Sequence, residues 1–523
     1  MDDSGRVWWE DAVVYQVYPR SFADTDGDGI GDLNGVRSKL PYLAGLGVDA
    51  IWLTPFYPSP LADGGYDVSD YCAVDPRLGT LADFDAMVKE AAGHGIRVIV
   101  DVVPNHCSVE HSLFQAALAA GPGSPERDMF IFREGNGDRP PNNWRSTFGG
   151  RAWTRVPDGQ WYLHLFDSSQ PDWNWHHPDV PPLFSDVIRF WLDRGAAGIR
   201  IDVASSMFKD RDLPDMPPDS PRHGPSPHHH RDELHELYKS WRAILESYPA
   251  DGFPGARTAV GEVWYDVPET LLPYLRPGGL PQVFNFQLLL VQWNADALRA
   301  SIDAALALAD GSQAPWVIGN HDVPRPVTRF GGPGAGRIAA LLQLALPGSA
   351  YIYQGEELGL PEVTDLPDEA RQDPTFHRTR GAFPGRDGCR IPLPWSADAP
   401  VEPSWLPQPR GWGSYSVQTQ SGDPGSFLNL YREALLLRRE LPALGIGKPG
   451  AGPGALRWLD SPADSLVFAR EPGFIFAANL GLSPIPLPAH SAVLLSSELL
   501  PGDGTLPPDT AAWLATTPRE DPH

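Results

Sequence analysis

The stretches IRVIVDVVPNH (96–106) and GIRIDVA (198–204) decide the fold. Each is a short run of β-branched residues without polar alternation until its carboxyl end, as expected of a parallel strand buried on both faces. Each then breaks into polar chemistry: Asp101, Asn105 and His106 in the first, Arg200 and Asp202 in the second. Outward from these two, similar runs recur at VVYQVYP (13–19), DAIWLTP (49–55), TAVGEVW (258–264), VFNF (283–286), APWVIGNHD (314–322) and SAYIYQGEE (349–357). Helical patterns lie between them, such as TLADFDAMVKEAAGHG (80–95) and PPLFSDVIRFWLDRG (181–195), the latter apolar at Leu183, Val187, Phe190 and Trp191. Strand–helix alternation repeated eight times predicts an α/β fold, a closed (β/α)8 barrel built from residues 1–103 and 173–443.

Two insertions interrupt the alternation. Residues 104–172, rich in Pro, Gly, Asn and Trp with little helix, are too long for a loop and read as a small B subdomain. Residues 208–232 read as a surface excursion, and the adjacent His228, His229 and His230 as solvated rather than metal-binding. From residue 444 to 505 short alternating runs (LRWLD, SLVFARE, FIFAANL, SAVLLSS) predict an antiparallel β-domain, with 506–523 as a poorly ordered tail.

Composition narrows the function classes. The chain has 523 residues, 42% of them hydrophobic, with 41 Lys plus Arg against 66 Asp plus Glu and a net charge of −25. That charge repels phosphate backbones and anionic lipid, so neither nucleic acid nor a membrane is expected as a partner. No run of about 18 apolar residues exists to span a bilayer. The amino terminus shows no basic region leading into an apolar stretch. Three scattered cysteines, Cys72, Cys107 and Cys389, make no disulfide framework. They fit buried thiols in a reducing cytoplasm.

In a (β/α)8 barrel the functional side chains sit at the carboxyl ends of the strands. Asp101, Asp202, Glu262 and Asp322, with Arg200, His106 and His321, all end predicted strands and would converge on one face. A single such carboxylate reads as a loop cap; four strands ending this way read as a site. Paired carboxylates of unlike environment suit glycoside hydrolysis, one attacking and one holding a proton for the leaving oxygen. Aromatic rings that suit sugar faces crowd the loops: Tyr66, Trp144, Phe148, Trp153, Trp161, Phe166, Trp173 and Trp175.

The motifs DVVPNH (101–106), GIRIDVA (198–204), GEVW (261–264) and GNHD (319–322), with QPDWN (170–174), resemble in order and spacing those of the α-amylase family, glycoside hydrolase family 13. YQVYPRSFADTDGDGIGDLNG (15–35), GGYDVSDY (64–71) and GRDGCRIPLPW (385–395) resemble its α-glucosidase and oligo-1,6-glucosidase branch. The resemblance implies Asp202 as nucleophile, Glu262 as general acid/base and Asp322 as the third carboxylate. It implies Arg200 as the partner that keeps Asp202 ionised, His106 and His321 as contacts to sugar hydroxyls, and Asp63 with Tyr66 at the closed end of the pocket. Phe148, Phe166 and Arg386 are further candidates facing the substrate. A late-chain arginine pairs with the aspartate in relatives, and Arg470 is the candidate.

Asp24, Asp26, Asp28 and Asp32, with the Ile30 carbonyl, offer oxygen ligands at alternate positions, a pattern for one structural Ca2+ or Mg2+. No organic cofactor is implied. The expected activity is a retaining exo-acting α-glucosidase on short oligosaccharides, cleaving α-1,6 or α-1,4 bonds. The alternatives are glucosyl transfer or sugar isomerisation through the same intermediate and, more remotely, a non-catalytic binding or transporter-associated protein.

Overall fold

A computed structural model describes residues 7–220, 223–308, 314–444 and 456–516. Eight parallel strands form one sheet: Val13–Val17, Ala50–Leu53, Arg97–Val102, Gly198–Ile201, Thr258–Gly261, Gln282–Val283, Trp316–Val317 and Ala350–Tyr353. The first strand pairs with both the second and the eighth. A parallel bridge between Asn285 and Trp316 joins the sixth to the seventh and closes the ring. The (β/α)8 barrel read from the eight runs is therefore the fold.

Local sequence explains the crossovers. Helix Leu81–Gly93 starts at a capping box in which Thr80 and Asp83 satisfy each other's backbone N–H groups. Helix Val180–Asp193 buries Phe184, Val187, Ile188, Trp191 and Leu192, and Gly195 follows it at φ +96°. Helix Phe427–Glu440 packs on helices Leu40–Leu46 and Pro333–Ala345. No helix among the described residues is long and apolar enough to cross a membrane.

The first insertion holds a three-stranded antiparallel sheet (Phe132–Arg133, Trp161–Leu163, Trp153–Arg155). It also holds a nine-residue helix, Ser112–Ala120, more helix than its composition implied. Trp144, Trp153 and Trp161 make its own small core with Leu163, Leu165 and Leu213. Leu213 belongs to the second insertion, which is therefore not a free excursion. Trp144 donates through Nε1 to Pro214 O at 2.8 Å, and Asn142 to Leu213 O at 3.1 Å.

The histidines of that insertion are likewise not solvated. His228 packs edge-on against Trp144, His229 pairs with Ser206, and His230 Nδ1 lies 2.9 Å from the Tyr274 hydroxyl. His230 N donates to Ser205 O at 2.8 Å and so ties the loop back to the end of the fourth strand, leaving His228 buried and His229 and His230 half-buried.

The expected tail is also corrected. Residues Thr510–Ala515 form a strand between Phe474–Asn479 and Ala492–Ser496, in the interior of the five-stranded antiparallel sheet. Pro507 and Pro508 masked an apolar strand, TAAWLA, whose Trp513 is fully buried and donates to Leu341 O of a barrel helix at 3.2 Å. Residues 517–523 of that expected tail lie outside the described residues. Trp513→Ala should lower the unfolding free energy by about 3–5 kcal/mol in denaturant melts, the cost of emptying a core site of this size. A loss below about 1 kcal/mol would contradict the interior placement.

Candidate active site

Strand pairing sets the first geometry. Asp101 and Arg200 are direct partners in the ladder between the third and fourth strands. Arg200 and Asp202 lie two residues apart, on one face of the chain. The ladder runs on past the strand ends, with Asp202 N donating to Val102 O and Glu262 N to Ile201 O, both at 2.9 Å. This brings three carboxylates around one guanidinium. Arg200 Nη1 lies 2.7 Å from Asp202 and 2.9 Å from Asp101, and Nη2 lies 2.7 Å from Glu262. All four side chains are buried. Glu262 is further fixed by the Trp264 indole on Oε1 at 3.0 Å and the Val203 backbone N–H on Oε2 at 3.1 Å. Val203, a β-branched residue, takes φ +45° to present that N–H, a strained conformation for its type.

The charges do not balance. Burial pushes Asp202 well above the usual carboxylate range, Glu262 and Asp101 reinforce the rise, and Arg200 opposes it. Burial likewise pushes Asp101 up, to about 7. Arg200 alone therefore does not hold every member ionised: three carboxylates around one cation favour a retained proton, which belongs to the set rather than to one residue.

A second cluster closes one end. Arg386 reaches Asp63 with Nη2 (2.6 Å), Asp322 with Nη1 (3.0 Å) and Asp373 with Nε (2.5 Å). Arg390 adds a contact to Asp322 at 3.2 Å. Burial would raise Asp322, but the surrounding arginines hold it well below the carboxylate range, His321 itself being kept neutral by burial. Asp373 is drawn down to about 2 against its burial, chiefly by Arg386. Asp63 goes the other way, to about 6, because its burial outweighs Arg386 and Arg390.

The remaining candidates connect the two clusters. Tyr66 stacks on His321 at 5.2 Å between centroids and donates to Asp101 Oδ2 at 3.1 Å. His321 Nδ1 lies 2.7 Å from Gln16 Nε2. Burial pushes His106 down to about 3, and its Nε2 lies 3.1 Å from Gln170 Nε2, which also donates to Asp63 at 3.0 Å. Phe166 packs against His106 and Phe148, and the Arg386 guanidinium lies over Phe148 at 4.9 Å.

Arg470 does not join this site. It is buried in the strand Ser465–Arg470 of the carboxyl-terminal sheet and donates to Ala345 O at 2.9 Å. The partner of Asp63 is Arg386. Trp173 and Trp175 also serve packing, stacked on Phe130 and Phe184. Of the acidic loop, Asp24, Asp26 and Asp28 gather their carboxylates within 4.8 Å of one another at the surface. Asp32 leaves the set: it caps helix Leu33–Ser38 at Gly35 N and accepts from Thr25.

Three contributors, Lys209, Asp373 and Arg378, carried no sequence signal. Lys209 is buried and bonds Asp172 Oδ2 and Asn105 Oδ1, each at 2.7 Å. Asp373 and Arg378, which reaches Asp167 at 3.2 Å and Gly149 O at 2.7 Å, lie in segments without periodicity, while Gln170 opens the motif QPDWN but was not itself a candidate. Arg390 was visible four residues beyond Arg386 in GRDGCR, had the spacing been weighed.

Residues 16–447 match the family described as "Alpha amylase, catalytic domain". The chain belongs to the α-amylase family. Among its family relatives, a "Probable alpha-glucosidase" of Rhizobium meliloti (strain 1021) is 39% identical over 502 residues, covering 90% of this chain and 88% of the relative. An "Oligo-1,6-glucosidase" of Parageobacillus thermoglucosidasius is 34% identical over 83% of this chain and 84% of its own. Among solved structures, the α-glucosyl transfer enzyme XgtA superposes with a TM-score of 0.87 at 37% identity, over 98% of this chain and all of its own. The trehalulose synthase MutB from Pseudomonas mesoacidophila MX-45 gives 0.87 at 31% over the same shares.

Removing Arg386 leaves Asp63 and Asp373 buried without the one guanidinium that contacts both, with only the more distant Arg390 remaining. Arg386→Met should cost about 3–5 kcal/mol at pH 7.5. An acid whose folded pKa is raised destabilises the fold as pH rises through its titration. Loss of Arg386 raises Asp63 above the value of about 6 it has beside that cation, so protonating it at low pH recovers part of the loss. Denaturant melts should show a smaller deficit at pH 5 than at pH 7.5; an equal or larger deficit would contradict this clasp.

Proposed function

We propose that this protein is a retaining, exo-acting α-glucosidase that releases glucose from the non-reducing end of short α-glucosides. One observation carries the reading: a single guanidinium, Arg200, spans Asp202 and Glu262 beside an end closed by Arg386 between Asp63 and Asp322. Carboxylates bridged this way suit the ~5–5.5 Å retaining separation rather than the ~6.5–9.5 Å that admits a water between them. A closed end accepts a terminal sugar and not the middle of a chain.

Asp202 attacks the anomeric carbon while Glu262 gives its proton to the departing oxygen, leaving a β-linked glucosyl-enzyme. Glu262 then takes a proton from water, which displaces Asp202 and yields α-glucose. Asp322, ionised among the arginines, binds hydroxyls and favours positive charge on the sugar ring. Neutral His106 and His321, with Tyr66, Phe148 and Phe166, pack and hydrogen-bond the ring. Unpaired Cys72, Cys107 and Cys389 fit a reducing cytoplasm.

With a chromogenic α-glucoside, Asp202→Asn should lose at least about 1,000-fold in kcat with its melting temperature retained, because an amide is a poor nucleophile of the same shape. NMR of the first product should show α-glucose; a β-configured first product would rule the mechanism out. Glucosyl transfer is the second reading, favoured by the 37% identity to XgtA over nearly the whole chain. Product analysis with maltose and an alcohol acceptor separates the two.

The expected preference is for α-1,6 bonds with some tolerance of α-1,4, and it rests on Val203, next to the nucleophile. Its branched side chain narrows the room for an aglycone ring, which an α-1,6 bond can swing aside. Val203→Ala should raise the ratio of maltose to isomaltose turnover, by at most about 10–200-fold. A wild type that cleaves maltose well and isomaltose hardly at all would overturn it.

Asp24, Asp26 and Asp28, with the Ile30 carbonyl, would hold one divalent cation. The fit is favourable: backbone N–H groups of Gly27, Gly29 and Ile30 brace these carboxylates side by side, where mutual repulsion calls for a cation. Its role would be structural. Chelator should lower the melting temperature by a few degrees without changing kcat of the surviving protein; no shift and no released ion would leave an acidic turn only.

A further inference from the structure

A small recess lies beneath the loop that carries Asp63 and Tyr66, lined by Arg20, Ile30, Leu61, Gly65, Asp75 and Arg77, among others. Arg20 is 5% exposed, and its Nε and Nη1 have no hydrogen-bond partner. Trp405 covers one face of its guanidinium at 3.9 Å. The one carboxylate of the recess is spent: Asp75 accepts from Arg77 Nε at 2.8 Å, from its Nη2 at 2.5 Å and from its backbone N–H at 2.9 Å. Nearby Asp67 is likewise engaged, by Ser59 Oγ, Ala62 N and Asp63 N.

Two guanidiniums and one carboxylate therefore line the recess, an excess of one positive charge, and of the two guanidiniums Arg20 is the buried one. Buried charges are paired. Guanidinium nitrogens only donate, so an occupant there must accept hydrogen bonds without needing to give one back. A water gives as well as accepts; a small anion only accepts and also neutralises the charge. The free space suits one water-sized sphere, which excludes polyatomic anions such as phosphate.

We propose that this recess is a binding site for one small inorganic anion of the halide class, held by Arg20. The site is separate from the carboxylate clusters and does not depend on the activity assigned to them. Its consequence is mechanical. Leu61 sits at φ +66° and Gly65 at φ +111°, so the loop that presents Asp63 and Tyr66 takes unusual backbone conformations at the roof of the recess. An anion below would brace that roof.

The test uses the intact protein. Crystals soaked in sodium bromide should give an anomalous peak beside the Arg20 guanidinium in the recess. In solution at constant ionic strength, exchanging methanesulfonate, too large to enter, for chloride or bromide should raise Tm by about 2 °C with saturation, as single-site binding to the folded state requires. Arg20→Gln should remove that increment while wild type keeps it. An ordered water in place of bromide overturns the proposal. So does a bromide peak without a saturable Tm response, which would mark an adventitious ion only.

Discussion

The structure turns on Arg200. Its guanidinium is the one cation among Asp101, Asp202 and Glu262, three carboxylates delivered by three adjacent strands. Without it those strand ends could not be buried together, since the like charges would repel at contact distance in a medium of low dielectric. With it, the set is held but not neutralised. A proton shared among oxygens and a carboxylate left charged are the two things that acid-assisted nucleophilic attack requires, so the imbalance is useful rather than a defect.

The closed end is better matched in charge, with two cations for three carboxylates. Arg386 and Arg390 face Asp322, Asp63 and Asp373, and the cations prevail at Asp322. Carboxylates of different protonation tendency thus share one pocket, Asp101 and Asp202 drawn up by burial and neighbours, Asp322 and Asp373 held down beside the arginines. Elements remote in sequence meet to do this: the loop after the second strand, the end of the seventh, and a long segment after the eighth whose Arg378 also ties down the first insertion.

Legibility from sequence followed periodicity. The barrel was readable because eight apolar runs recur, and the carboxylates because strands end on them. Arg386 was found by motif, whereas Arg470 was misplaced because an arginine after an alternating run looks alike in any strand. Lys209 was invisible, and the role of Gln170 within QPDWN was too: each matters only through partners 37 to 107 residues away, and no local pattern encodes that. The histidine run was misread for a related reason. Pro-rich sequence signals a loop, but not whether that loop is laid over another insertion, as Leu213 and Trp144 lay this one.

The strand Thr510–Ala515 carries a consequence for how the molecule is made. It is the inner strand of its sheet, yet both neighbours, Phe474–Asn479 and Ala492–Ser496, precede it in the chain. A growing polypeptide must therefore carry two unpaired strand edges, and the patch of helix Pro333–Ala345 that receives Trp513, until this segment emerges. At ~5–20 residues per second the interval is on the order of seconds, long enough for such edges to meet the wrong partner. The stretch that most resembled a dispensable end is the wedge that seals the sheet.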